Sequence, residues 1–190
     1  MKIIALETSA VTASVAVTED ERLLAQSFQN SGLTHSATLM PMVAGLLKNT
    51  GLTLDEMDVV AVAAGPGSFT GVRIGVAAAK GLAWPGDKPC APCSTLEAMA
   101  WQCAHVGGEI CAATDARRNQ VYCARFRAEN GALTRLTPDR AMGLDELADE
   151  VRTSGLPQTL VGDGAHLVQR ALEGLGLPCA LMPPHLLYQT

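Results

Sequence analysis

The sequence predicts a mixed α/β protein whose order of elements is duplicated along the chain. Three observations carry that expectation. Short β-forming runs come in triplets followed by helical spacing, and this order occurs twice within the 190 residues. A glycine-rich turn over residues 65–71 joins an apolar run directly to a helix of small residues. An apolar content of 48% can give a core to one domain or to each of two small lobes.

Lys2–Glu7 and residues 13–18 and 22–28 read as strands. The links 8–12 and 19–21 are of hairpin length, so the chain opens as an antiparallel meander. Leu39, Val43, Leu46 and Leu47 recur at helical spacing and Gly51 closes that helix; Pro41 lies early in it, where a missing N–H does least harm. Thr53-Leu-Asp-Glu56 has the form of a capping box for a short turn before a strand at 59–64. A helix at 72–84 and a short strand at 89–92 follow. Ser94-Thr-Leu-Glu97 is a second capping box, opening a helix to about residue 105. Gly107-Gly108 is the candidate lobe boundary, which divides the chain into 1–106 and 107–190. Beyond it, 110–114, 120–127 and 133–138 read as strands, 144–153 as a helix, 158–161 as a strand and 165–175 as a helix.

The net charge of −5 argues against an independent, high-affinity nucleic-acid binder, because phosphate neutralisation needs a basic surface. The candidate local basic patch is Arg117 and Arg118, with Arg125 and Arg127 on one face of a strand. The opening Met-Lys-Ile-Ile-Ala-Leu-Glu is too short, and acidic too soon, for a secretory signal. No apolar run reaches the ~20 residues of a membrane-spanning helix. These features give the expectation of a soluble cytoplasmic protein with reduced thiols.

The glycine turn fits neither common nucleotide motif. No glycine stands at the spacing of Gly-x-x-x-x-Gly-Lys, and Gly71 falls one residue too far for Gly-x-Gly-x-x-Gly after Gly65 and Gly67. Spacing alone leaves a structural turn with a packing surface and a phosphate cradle at a helix N-terminus both open. Cys90-Ala-Pro-Cys93 has the spacing of a redox pair, but the reading favoured here is two small apolar residues ending a buried strand. No second pair stands at zinc-ligand spacing, and Cys103 with His105 could only improvise one, so no metal is expected.

Gly65-Pro-Gly-Ser-Phe-Thr-Gly-Val-Arg-Ile-Gly75 resembles the signature of the bacterial TsaB (YeaZ) family of tRNA threonylcarbamoyladenosine biosynthesis proteins. Other stretches agree in order. Leu6-Glu-Thr-Ser-Ala10 with Ser14-Val-Ala-Val17 resembles that family's opening hairpin. His35-Ser36 with Leu39-Met-Pro41 resembles its first helix, and Ser94-Thr-Leu-Glu-Ala-Met-Ala100 a later one. Asp115-Ala-Arg-Arg-Asn-Gln-Val-Tyr122 resembles the strand opening its second lobe, and Gly162-Asp-Gly164 a later turn.

The resemblance implies an actin-like ATPase (ribonuclease H-like) fold of two lobes, each a βββαβα unit. It also implies a non-catalytic scaffold and activator of the complex that transfers a threonylcarbamoyl group to the adenosine beside the tRNA anticodon. The implied partners are a TsaD-type catalytic subunit, a TsaE-type ATPase, a second copy of the chain when alone, and tRNA through the complex. The catalytic paralogue holds its metal with a His-x-x-x-His helix. The corresponding stretch here, Ser94 to Ala98, cannot build that site.

Glu7-Thr8-Ser9 and Asp115-Ala-Arg117 stand where that superfamily places its phosphate loops, without the glycines, so any nucleotide site is eroded. A vestigial one would use Thr8, Ser9, Asp115, Gly162 and Gly164, with ATP or ADP bound only in the complex and no resident cofactor. Asp115 reads better as a strand-end cap or a partner of Arg117. The small-residue stripe of Gly71, Gly75, Ala78 and Ala79 would let another helix approach closely, while packing on this chain's own sheet must use part of the same helix. Met40, Met42 and Met57 are either adaptable contact surface or core. The expected partner-binding residues are His35, Leu39, Met42, Gly65, Gly67, Phe69, Thr70, Gly71, Arg73 and Gly75. The competing activities are a small-molecule kinase or ATPase using Asp115 and the Gly162–Gly164 turn, and thiol–disulfide exchange at Cys90 and Cys93. Relatives usually continue past the stretch at Met182-Pro-Pro184, so the expectation is a second lobe that is either naturally short or truncated.

Overall fold

Strand β1 (Lys2–Glu7) is the centre of the first sheet because both its faces are covered: Ile4 and Leu6 are buried on one side, Ile3 and Ala5 half-buried on the other. It pairs antiparallel with β2 (Ala13–Glu19) and parallel with β4 (Val59–Ala63). β2 carries β3 (Arg22–Gln29) on its far side, with a register shift at Val17/Thr18, and β5 (Cys90–Cys93) lies parallel to β4. The sheet order is β3-β2-β1-β4-β5.

The expected meander and the crossovers to parallel strands are therefore present. In the computed structural model, which describes residues 1–189, the chain divides into two compact units, 1–95 and 96–189.

In the first unit, helix α1 (His35–Thr50) buries Leu39, Met42, Val43 and Leu46, one stripe at helical spacing. Gly51 ends it in the left-handed region at φ 68°, as the sequence predicts. The Thr53–Glu56 capping box forms: Glu56 accepts from the Thr53 backbone N–H at 2.8 Å. Helix α2 (Phe69–Ala83) starts before the expected residue 72, because the Ser68 hydroxyl accepts from the Gly71 N–H at 3.2 Å and caps the turn. The core joins Ile4, Val15, Val17, Leu39, Leu46, Met57, Val60 and Leu82. Each such side chain contributes about 1.5–3 kcal/mol by burial.

The second unit begins with α3 (Thr95–Gln102). Its Leu96, Met99 and Ala100, with Cys103, pack on Ile110, Ala112 and Phe126. For this reason the units divide at Thr95/Leu96, earlier than the Gly107-Gly108 boundary read from the sequence; residue 190 lies outside the described residues. Those two glycines have positive φ and turn the chain into β6 (Gly108–Arg117).

β7 (Gln120–Glu129) pairs with β6 along nearly its whole length. The expected strand at 133–138 is two strands, β8 (Ala132–Arg135) and β9 (Arg140–Gly143), each pairing with a different half of β7. Helix α4 (Leu144–Ser154), β10 (Gln158–Val161), α5 (Ala165–Gly174) and β11 (Cys179–Leu181) complete the unit. The sheet runs β11-β10-β6-β7-β8 with β9 beside β7. Each unit thus carries a mixed sheet with helical crossovers. No helix among the described residues is long and apolar enough to cross a membrane.

Candidate functional site

The glycine turn folds onto the chain's own β1–β2 loop. A Cβ at Gly67 would lie 2.9 Å from the Ser9 Cβ, and one at Gly71 would lie 3.2 Å from the Thr8 carbonyl carbon with the carbonyl oxygen nearer still. At Gly75 it would meet the Thr8 hydroxyl at 2.5 Å. At Gly67 and Gly71 glycine is required because backbone passes backbone, while at Gly75 it makes room for the Thr8 side chain. Thr8 Oγ1 donates to the Gly71 carbonyl at 2.8 Å, and the Ser68 N–H donates to the Ser9 carbonyl at 2.6 Å. The small-residue stripe is accordingly turned inward: Gly71, Gly75 and Ala79 are buried, and their lack of bulk serves this internal seam.

The β1–β2 loop is closed on itself. The buried Glu7 carboxylate accepts from the Ser9 backbone N–H and, at 2.5 Å, from the Ser9 hydroxyl. Thr8 and Ser9 are each 1% exposed. The Thr8 hydroxyl and the Ser9 N–H and hydroxyl, donors that a phosphate would use, are taken up by the protein itself.

The expected docking residues separate into two sets. Leu39 and Met42 belong to the core of the first unit and are not available to a partner, which corrects their sequence assignment. Their helical spacing marks the inward stripe of α1, and Met57 is core as well. His35 is half-buried, and its Nε2–H donates to the Ala10 carbonyl at 2.8 Å, tying the start of α1 to the β1–β2 loop. Phe69, Thr70 and Arg73 point outward from the first turns of α2. Phe69 is 70% exposed, with the Arg73 guanidinium stacked 3.3 Å above its ring. Gly65, half-buried at φ 110°, precedes a cis Pro66 and accepts from the Thr95 N–H at 2.9 Å. Met40 on α1, 44% exposed, faces solvent. Trp84, fully outward in the Trp-Pro-Gly turn after α2, was overlooked in the sequence; its place beside a helix-ending Pro-Gly is the signal that could have flagged it.

In the second unit, Asp115 lies two residues before the end of β6 and caps the turn that follows. Its carboxylate accepts from the Arg117 N–H at 2.7 Å and pairs with the Arg117 guanidinium at 3.5 Å. Arg117, Arg118 and Asn119 all have positive φ. Gly162 and Gly164 press on β6: a Cβ at Gly164 would come within 2.8 Å of the Thr114 carbonyl carbon. Between them Asp163 accepts from the Asp115 N–H at 3.2 Å. Burial pushes the Asp163 carboxyl above its ordinary range, and the nearby Asp115 charge adds to this.

The basic patch suggested by Arg125 and Arg127 does not form, because both guanidiniums are bound to the buried Glu109, Arg127 at 2.9 Å. Gln158 donates to the same carboxylate at 2.8 Å. Burial alone would raise this carboxyl. The hydrogen bonds from Gln158, Arg125 and Arg127 outweigh that and hold it at about 2. Cys90 and Cys93 lie on β5 and are exposed, against the expectation of a buried strand end. Three residues along a strand place their Cα atoms about 10 Å apart, beyond the roughly 7 Å a disulfide tolerates. A redox pair is therefore excluded without disrupting β5.

These observations agree with the comparisons to known proteins. The family model described as "TsaD: tRNA N6-adenosine threonylcarbamoyltransferase" matches residues 23–167. The chain is 34% identical over 173 residues to the tRNA threonylcarbamoyladenosine biosynthesis protein TsaB of Bacillus subtilis, covering 91% of this chain and 76% of that one. It is 46% identical over 99 residues to TsaB of Haemophilus influenzae, covering 50% of this chain and 42% of that one. Among solved structures, YeaZ from Pseudomonas aeruginosa superimposes with a TM-score of 0.78 at 25% identity, covering 99% of this chain and 86% of that one. A Bacteroides thetaiotaomicron protein with an actin-like ATPase fold matches at a TM-score of 0.50 and 9% identity, a likeness of fold alone. The chain therefore belongs to the TsaB (YeaZ) family of tRNA threonylcarbamoyladenosine biosynthesis proteins, with the actin-like ATPase fold.

Proposed function

We propose that the chain is the non-catalytic scaffold and activator of the complex that places a threonylcarbamoyl group on the adenosine next to the tRNA anticodon, acting in the cytoplasm. Its direct partner is a TsaD-type catalytic subunit, and a TsaE-type ATPase joins the assembly. tRNA is met through the complex, and a homodimer forms when the partner is absent. The observation that carries this reading is the contrast between the two sides of α2. One side seals the would-be phosphate loop through Gly71, Gly75 and Thr8. The other presents Phe69 stacked under Arg73, an exposed pair of residue types enriched at protein interfaces.

The filled β1–β2 loop and the close seating of Gly162 and Gly164 on β6 support a subunit with no resident nucleotide. The test is co-purification with the cognate TsaD subunit, comparing the native chain with Phe69→Ala combined with Arg73→Glu. Retained folding with lost co-elution is expected. Undiminished co-elution would refute the docking face.

A further inference from the structure

The basic patch loses Arg125 and Arg127 to Glu109, but its other half, Arg117 and Arg118, stands at the tip of the β6–β7 hairpin. Arg117 pairs with Gln120 after a register shift at Asp115/Arg117, so Arg118 and Asn119 form a two-residue loop. Backbone φ is 68° at Arg117, 52° at Arg118 and 61° at Asn119. Positive φ at both loop residues is the sign pattern of a type I′ turn, whose places favour Asn, Asp or Gly. Asn119 suits that preference. Arginine does not, because in the left-handed region its Cβ crowds the following carbonyl. Local sterics alone would select other residues at 117 and 118.

Strained backbone that holds long charged side chains points to a task for those side chains. Arg125, Arg127, Arg135, Arg140 and Arg152 each have a close carboxylate partner. Arg117 reaches Asp115 only at 3.5 Å, with its side chain 84% exposed. Arg118 is exposed and has no ion pair among the described residues. The Asp115 carboxylate is spent chiefly on the Arg117 backbone N–H at 2.7 Å, which fixes the turn rather than covering the guanidinium.

Two guanidiniums with open forks call for an oxyanion. Shape narrows the choice. A two-residue hairpin tip is convex and cannot enclose a free nucleotide, whose sites are concave. It can enter a groove of a structured RNA and meet the phosphates along its backbone. With 19 acidic against 14 basic residues, the chain offers a polyanion little else, so the contact is local and sensitive to salt.

We propose that the Arg117–Arg118 turn touches the phosphate backbone of tRNA, an assignment that rests on the reading above in which tRNA meets the complex. Asp115 acts as a positioning residue for the turn.

The test is fluorescence anisotropy of a labelled tRNA transcript, titrated with the full chain alone at low salt and with its complex with the TsaD-type subunit across rising salt. Arg117→Gly with Arg118→Gly removes both charges and places glycine where positive φ is easy. That variant should bind tRNA about tenfold more weakly, with a log–log salt slope shallower by about 1.5, as two lost phosphate contacts require. Its denaturant midpoint should be no lower than native, and its co-elution with the TsaD-type subunit unchanged. Arg117→Lys with Arg118→Lys should retain the slope. Unchanged affinity and slope in the glycine pair would overturn the proposal, and so would a lowered midpoint, which would give the arginines a structural role. Poly-glutamate binding as tightly as tRNA would place an acidic protein at the tip and overturn the RNA assignment. Failure of the native chain to co-elute would remove the docking face, while titration of the chain alone still decides the arginine tip.

Discussion

Gly71→Ala is the substitution that most sharply separates an internal seam from a surface built for a partner. The added methyl would stand on the Thr8 carbonyl on one side and 3.3 Å from the Ser68 Cβ on the other. The first contact is backbone and cannot swing away, so α2 must move off β1. Overpacking of this kind costs about 1–3 kcal/mol. Gly81→Ala is the internal control. It lies in the same helix with nothing within 4 Å of the added atom, and replacing a helical glycine by alanine should stabilise by roughly 0.5–1 kcal/mol. Because both changes share the helix-propensity gain, their difference isolates the steric term. Urea denaturation followed by circular dichroism reads that difference directly. Gly71→Ala should unfold at clearly lower denaturant than Gly81→Ala. Equal midpoints, or a more stable Gly71→Ala, would refute the seam.

Three further expectations follow from the same structure. Glu109→Gln removes the charge that holds Arg125 and Arg127, and should destabilise by about 3 kcal/mol near neutral pH, as loss of a buried ion-pair partner does. The Glu109 carboxyl lies at about 2 against an ordinary value of 4.5. Its contribution is therefore complete above 4.5 and lost as pH falls through about 2, so denaturant midpoints measured across that window should slope less in the variant than in the native chain. Cys90→Ser with Cys93→Ser should leave stability within about 0.5 kcal/mol, and the native chain should not reduce insulin; turnover there would revive thiol exchange. Titration with ATP and Mg²⁺ should give no heat attributable to the isolated chain, because Thr8, Ser9 and the Gly162–Gly164 turn are already engaged. Tight binding with hydrolysis would favour the kinase reading.

Much of the fold was legible because local signals agreed with tertiary ones. β1, β10 and the Gly51 stop of α1 follow from apolar patterning and a glycine that takes positive φ. β9 and β11 were missed because a four-residue and a three-residue strand carry too short a period to register, and Pro138 masks the break between β8 and β9. Inside and outside were harder to assign. Leu39 and Met42 looked like contact residues, yet the helical period that made them visible marks the buried stripe. Gly71 and Gly75 were identified as close-approach positions, which they are, but what approaches is Thr8 of the same chain, through its backbone at Gly71 and its side chain at Gly75. The Arg125–Glu109 and Arg140–Glu150 pairs join residues 16 and 10 positions apart that meet only once β7 and α4 are placed, so no motif announced them.

Reconstituted modification of tRNA tests the proposed scaffold role most directly, with the chain added to or withheld from a TsaD-type subunit and a TsaE-type ATPase. No modified adenosine is expected from the chain alone, with stimulation when it joins TsaD and loss of that stimulation in Phe69→Ala with Arg73→Glu. Modification by the isolated chain, or full stimulation by that double variant, would contradict it.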